Sequence, residues 1–183
     1  MNARNVFALN RFFFCYRCPV LKKKNIQNEE EKIRNRVAVL LSHMFVKEYL
    51  NEKERPELFK TLLERFTDRS AKVRIKMIEF GRDYLKKPNP ISEKRIIEHL
   101  SGRILDQESE VRKAIIECCC DLQLVSRFDR PIYERICERL LDKDAQVRVT
   151  SFSKLIDLYI NTDNKWIISR IIKSHKQMKP KEQ

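Results

Sequence analysis

Three stretches of this chain share one pattern, and that pattern restricts the fold more than any other feature. LLERFTDRSAKVR ends at Arg74, LSGRILDQESEVR at Arg112 and ICERLLDKDAQVR at Arg148, and the three align without a gap. In each, an arginine (Arg65, Arg103, Arg139) stands three residues before an aspartate (Asp68, Asp106, Asp142). A Val-Arg pair begins five residues after that aspartate, at Val73, Val111 and Val147. The aspartates lie 38 and then 36 residues apart. A period of this length is the signature of stacked helical hairpins.

Apolar residues at helical spacing flank each aspartate. Before it come Leu58, Leu62 and Phe66, then Ile96, Leu100 and Ile104, then Ile132, Ile136 and Leu140. A step of four keeps each set on one helical face. After the Val-Arg pair come Met77, Phe80, Gly81 and Tyr84, then Ile115, Cys118, Cys119 and Leu122, then Phe152, Leu155, Ile156 and Leu158. Two amphipathic helices around a short turn are therefore expected in every copy. Pro56 and Pro131 stand where a first helix should begin, a position whose backbone N–H has no partner in any case.

The aspartate after a first helix and the arginine six residues later resemble the hallmark of the HEAT repeat. That resemblance implies an all-α fold, a short α-solenoid of stacked antiparallel helix pairs. It also implies a ladder in which Asp68, Arg74, Asp106, Arg112, Asp142 and Arg148 join carboxylate to guanidinium from repeat to repeat, a match suited to arginine's planar fork. Such a ladder needs no ligand to explain it, so these six residues are expected to be structural.

Composition agrees with helices. The chain has only two glycines, 36% charged residues and 42% apolar residues, and no run alternates with the period of a half-buried strand. No apolar run approaches the roughly 18 residues of a membrane span. Residues 1–24 stand apart as a basic, aromatic extension with six basic residues and no acidic one. It is expected to be poorly ordered, and it is open to reading as a mis-assigned start or as a mitochondrial presequence that lacks serine. Arg11 and Arg17 interrupt the apolar core a secretory signal would need.

Of the formal net charge of +13, those 24 residues carry +6 and the polar tail 174–183 carries +2, leaving +5 for the repeats. The high isoelectric point is thus weak evidence for nucleic-acid binding. Lys72, Lys76, Lys86, Lys87, Lys94 and Arg95 are either solvated helix faces or makers of weak, salt-sensitive contacts with backbone phosphates.

Residues 25–173 divide into three full repeats with a partial repeat at each end. Setting Ile33-Arg34 against the later Val-Arg pairs places Val37, Leu40, Leu41, Met44 and Phe45 as the core stripe of an earlier second helix. At the far end, Trp166, Ile167, Ile171 and Ile172 are spaced as a further first helix, with Asp163 or Asn164 as its cap. A solenoid helix without its partner leaves an apolar face open, so at the N-terminal end either the leader folds over that face or the chain is a piece of a longer array.

Catalytic chemistry has little footing. A glycine-rich phosphate loop is absent, and His43, His99 and His175 lie far apart with no acid or nucleophile at useful spacing. Cys15 and Cys18 form a lone C-x-x-C, half of a zinc site or redox pair at most. Cys118, Cys119 and Cys120 are consecutive on a helix and point in three directions, so they do not serve one ion. Cys118 and Cys119 fall at core positions. No enzyme, metal or cofactor is expected, and free thiols suit a reducing compartment, cytosol or nucleus.

From Arg36 to Tyr159 the order of elements is similar to the cohesin-associated sister-chromatid cohesion regulators, the family named for precocious dissociation of sisters. RVAVLLSHMF, RPELFKTLLERFTDRSAKVRIKMIEF, HLSGRILDQESEVRKAIIECCCDLQLV and ICERLLDKDAQVRVTSFSKLIDLY carry that resemblance, which covers about two thirds of the chain. It implies a non-enzymatic nuclear scaffold docking on the kleisin subunit of cohesin and meeting its release factors, with no membrane role. An adaptor of another chromosomal or transport complex, or a basic solenoid contacting nucleic-acid backbone, stays open beside it.

Overall fold

A computed structural model describes residues 23–123 and 130–178. The basic leader up to residue 22, with Cys15 and Cys18, lies outside the described residues, as does the end of the tail. Among the described residues the regular structure is entirely helical, and none of those helices is long and apolar enough to cross a membrane. The class is the all-α HEAT-type solenoid of stacked helix pairs.

The chain divides after Tyr84 into two compact units. In the first, α1 (Lys23–Ile26) and α2 (Glu31–Val46) precede the pair α3 (Pro56–Leu63) and α4 (Ala71–Leu85), the last residue of α4 opening the second unit. Pro56 is the first residue of α3. Aromatic rings fill the centre of this unit. Phe45 meets Phe59 edge-on at 4.9 Å, while Phe80 and Tyr84 lie at 6.3 and 5.8 Å from Phe59. The Tyr84 hydroxyl reaches the Glu52 carboxylate in the loop before α3, which gives its polar end a partner.

The second unit holds α5 (Glu93–Ser101), α6 (Ser109–Gln123), α7 (Arg130–Glu138), α8 (Ala145–Thr162) and α9 (Lys165–Met178). Ile115, Ile116, Cys119, Ile136 and Leu155 have no exposed surface there. Helix α8 ends at Asp163, whose left-handed conformation (φ 49°) breaks the helix. Asn164 then starts α9, its side-chain oxygen accepting the Trp166 N–H at 3.2 Å. Two guanidiniums lie over the Trp166 ring, Arg130 at 4.9 Å and Arg170 at 5.4 Å from its centre. Glu134 on α7 approaches both arginines, offsetting their charge. Helix α9 continues to Met178, beyond residue 173.

Some apolar residues placed in the core by spacing are on the surface. Leu40 is 38% exposed while Ala38 is fully buried, because the face that α2 turns inward runs through Val37, Ala38, Leu41 and Phe45. Phe152 and Ile172 are also exposed, on α8 and α9. Conversely, Cys120 is buried together with Cys118 and Cys119, and α7 adds Cys137. Hydrophobic burial treats these thiols as small apolar groups.

Candidate functional site

The repeated feature is the joint between the helices of a pair, and its geometry follows from the local sequence. Each first helix tightens into a 3-10 turn, at Glu64–Thr67, Gly102–Leu105 and Arg139–Leu141. The aspartate after it turns to extended backbone, with φ between −57° and −60° and ψ of 146° or 147° in all three copies. Its N–H donates to the carbonyl of the arginine three residues earlier, at 3.1, 3.0 and 3.1 Å. Its carboxylate accepts the N–H two residues later, from Ser70 at 2.9 Å, Glu108 at 3.1 Å and Asp144 at 3.0 Å. A short acceptor side chain that bonds the backbone two residues on is what aspartate offers such a turn. In the third copy Asp144 adds a cap of its own, accepting from Gln146 and Val147.

Arginines close the joint from two sides. Arg65, Arg103 and Arg139 each donate to the aspartate three residues on, at 3.0, 3.0 and 3.4 Å. The arginine six residues after the aspartate folds back instead. Arg74, Arg112 and Arg148 each donate through Nη1 to that aspartate's backbone carbonyl, at 2.7, 2.8 and 2.8 Å. This satisfies a carbonyl that the turn leaves without a helical partner.

The remaining edge of the guanidinium forms a rung to the next pair. Within the first unit, Arg34 Nε and Nη2 both donate to Asp68 at 2.9 Å. Within the second, Arg112 donates to Asp142 through Nε at 2.9 Å and Nη2 at 2.7 Å. Both are parallel two-point pairs, the strongest form of this contact. All four side chains are nearly inaccessible. Burial alone would raise the Asp68 carboxyl, but the Arg34 fork, the Ser70 N–H and the Arg65 charge outweigh it and hold the group below the ordinary carboxylate range. Asp142 is held down in the same way against its burial, by Arg112, the Asp144 N–H and Arg139.

Spacing set Arg34 against the arginines of the later Val-Arg pairs but did not place it in the ladder. Its Nη1 donates to the carbonyls of Asn28 and Glu29, as the later arginines do to their own turns. Asn28 stands six residues before it, and its side-chain oxygen accepts the Glu30 N–H at 2.9 Å. An asparagine can make that turn bond without a charge. The signal was therefore present, one substitution away from the aspartate pattern.

The basic residues singled out by sequence are divided between the units. Lys76 is held by Glu79 at 2.8 Å, and Lys72 lies 3.8 Å from Glu31. Lys86, Lys94 and Arg95 are exposed and Lys87 is half-buried. Among the described residues no group of three or more histidine, cysteine or acidic side chains is placed to hold a metal. His99 is half-buried, and burial, with Arg95 and Arg103 beside it, lowers its pKa. Burial raises the thiols, Cys120 to about 12 and Cys137 to about 11, and Cys119 well above its ordinary value. Such thiols stay protonated and are poor nucleophiles.

A family profile described as sister chromatid cohesion protein PDS5 matches residues 18–179, a span that takes in all of these joints and helices. The chain belongs to the PDS5 family. It is 29% identical over 105 residues, 56% of its length, to sister chromatid cohesion protein PDS5 homolog A of Arabidopsis thaliana. It is 25% identical over 129 residues, 68% of its length, to the PDS5 homolog of Dictyostelium discoideum. These matches span 6% and 9% of those relatives, so the chain corresponds to a small part of a PDS5 protein's length.

Proposed function

We propose that this chain is a non-enzymatic scaffold module of a cohesin-associated regulator of sister chromatid cohesion, acting in the nucleus on protein partners. The PDS5 family match over residues 18–179 carries this reading. The joints support it chemically: their charged groups are consumed in turn bonds and rungs, which leaves them for structure rather than turnover. Helix pairs in series offer a partner many modest contacts spread over several repeats. The kleisin subunit of cohesin and its release factors are the proposed partners.

The test is affinity capture with the full chain from nuclear extract, followed by direct binding to the purified kleisin. Kleisin captured and then bound directly supports the proposal. Capture of a different chromosomal or transport assembly, with no kleisin, would assign the chain to another HEAT-type adaptor. Binding to naked DNA that falls steeply with added salt, with no protein captured, would favour a phosphate-contacting solenoid instead.

A further inference from the structure

Where α8 gives way to α9, the surface of the second unit sinks into a pit of about 160 Å³. Tyr133 of α7, Leu158 of α8 and Ile167 of α9 line it with side chains that are otherwise nearly inaccessible. The Tyr133 hydroxyl donates to the Cys119 carbonyl at 3.3 Å, so the pit meets the ring of that residue and not its polar end. Size restricts what can enter. A cavity of about 150 Å³ holds one benzene molecule, whereas pockets for whole small molecules begin at about 300 Å³. The pit therefore suits one side-chain ring, with the rest of the occupant lying outside.

The edge of the pit is polar and short of negative charge. Arg130, Thr162, Asn164 and Trp166 complete the lining and reach solvent. The Thr162 hydroxyl donates to the Leu158 carbonyl at 2.7 Å, within its own helix. Asn164 uses its side-chain oxygen on the Trp166 N–H, and its amide donor remains. Arg130 has a side chain 67% exposed, with Nε 3.3 Å from Glu134 Oε1. Arg170 reaches that same oxygen at 3.6 Å, so one carboxylate serves two guanidiniums. Asp163 and Lys165, both exposed on either side of Asn164, cancel each other. One positive charge is left in excess.

We propose that the pit takes a phenylalanine side chain from an acidic segment of a partner protein, with the carboxylate next to that phenylalanine paired to Arg130. Two independent matches set this occupant: a space the size of one ring, and an unbalanced guanidinium at its edge. Neither depends on which assembly the chain serves. An aromatic anchor in a small pocket edged by polar contacts is the usual hot spot of a protein interface.

Trp166 is the only tryptophan in the chain, so tryptophan fluorescence reads the edge of the pit alone. The test titrates the full chain with the peptide Gly-Ser-Asp-Phe-Ser-Gly, capped at both ends. A saturable change in fluorescence is expected, half complete at about 1 mM or below. Alanine in place of the peptide's phenylalanine should weaken binding by about tenfold or more. Asparagine in place of its aspartate, or Arg130→Gln in the protein, should weaken it by about fivefold, and the two changes together by no more than either alone. Thr162→Phe, which fills the pit from its exposed edge, should remove binding while circular dichroism stays unchanged. Equal binding of the alanine or the asparagine peptide would overturn the proposal. Undiminished binding to the Thr162→Phe chain, or no saturation by about 5 mM peptide, would overturn it as well.

Discussion

At the scale of single residues, the arginine of a rung, Arg34 or Arg112, has two tasks that share one rigid group. One edge of the guanidinium completes its own turn, and the other edge reaches the next pair's aspartate. A buried ion pair contributes little net stability over an apolar substitute, yet losing one partner leaves a charge stranded. Asp142→Ala should therefore cost about 3–5 kcal/mol, because Arg112 stays buried without its carboxylate. Urea denaturation of the variant beside Arg112→Met/Asp142→Leu checks this: the double variant should recover the part due to the stranded charge but not the turn bonds that both side chains also make. The sequence made the aspartate and arginine positions legible through their constant interval. Which guanidinium meets which carboxylate was not legible, because that pairing crosses 34 residues in one case and 30 in the other. Arg34 was harder still, since asparagine stands where the other copies have aspartate.

At the scale of helices, periodicity identified the elements and misjudged some of their faces. A stripe read from one sequence gives the apolar side of a helix but not how much of it a neighbour covers. Phe152 and Ile116 illustrate the difference. They occupy the same register position, yet among the described residues Ile116 is covered by its neighbours and Phe152 is half exposed. Ile116→Asp should abolish cooperative unfolding or lower the melting temperature severely, since it buries an unpaired charge. Phe152→Asp should change stability by about 0.5 kcal/mol or less. Equal melting temperatures for the two variants would refute the difference in burial. The thiols give a second expectation. Cys118, Cys119, Cys120 and Cys137 should resist maleimide under native conditions and react only at the rate of opening of their helices, as read by peptide mass spectrometry. Prompt native labelling of any of them would contradict the packing of α6 and α7.

At the scale of the whole molecule, pH acts on stability through groups in both units. Asp68 and Asp142 bind protons less readily when folded than at their ordinary value of 3.8. The unfolded chain takes up protons first as pH falls, so the stability they contribute is complete above about 3.8 and is lost as pH drops through their lowered folded values. His99 acts in a higher window. Its folded pKa lies below the ordinary 6.5, so its contribution is whole above 6.5 and declines as pH falls toward the folded value. Urea midpoints measured from pH about 7.5 to 3 should decline in two stages, and His99→Gln should remove the upper one. A midpoint flat to pH about 4 in the unaltered chain would contradict the histidine's part.

The two-task arginine also sets where a chain of this kind can change length during evolution. The six-residue step from aspartate to arginine is a fixed gauge, since one inserted residue would carry the guanidinium off its own turn carbonyl. The stretch from a rung's arginine to the next aspartate is not fixed, for spans of 34 and 30 residues end in the same fork. Insertions and deletions should therefore accumulate in loops such as 47–55 and 86–92, where relatives can lengthen or trim a repeat while its joints stay in step.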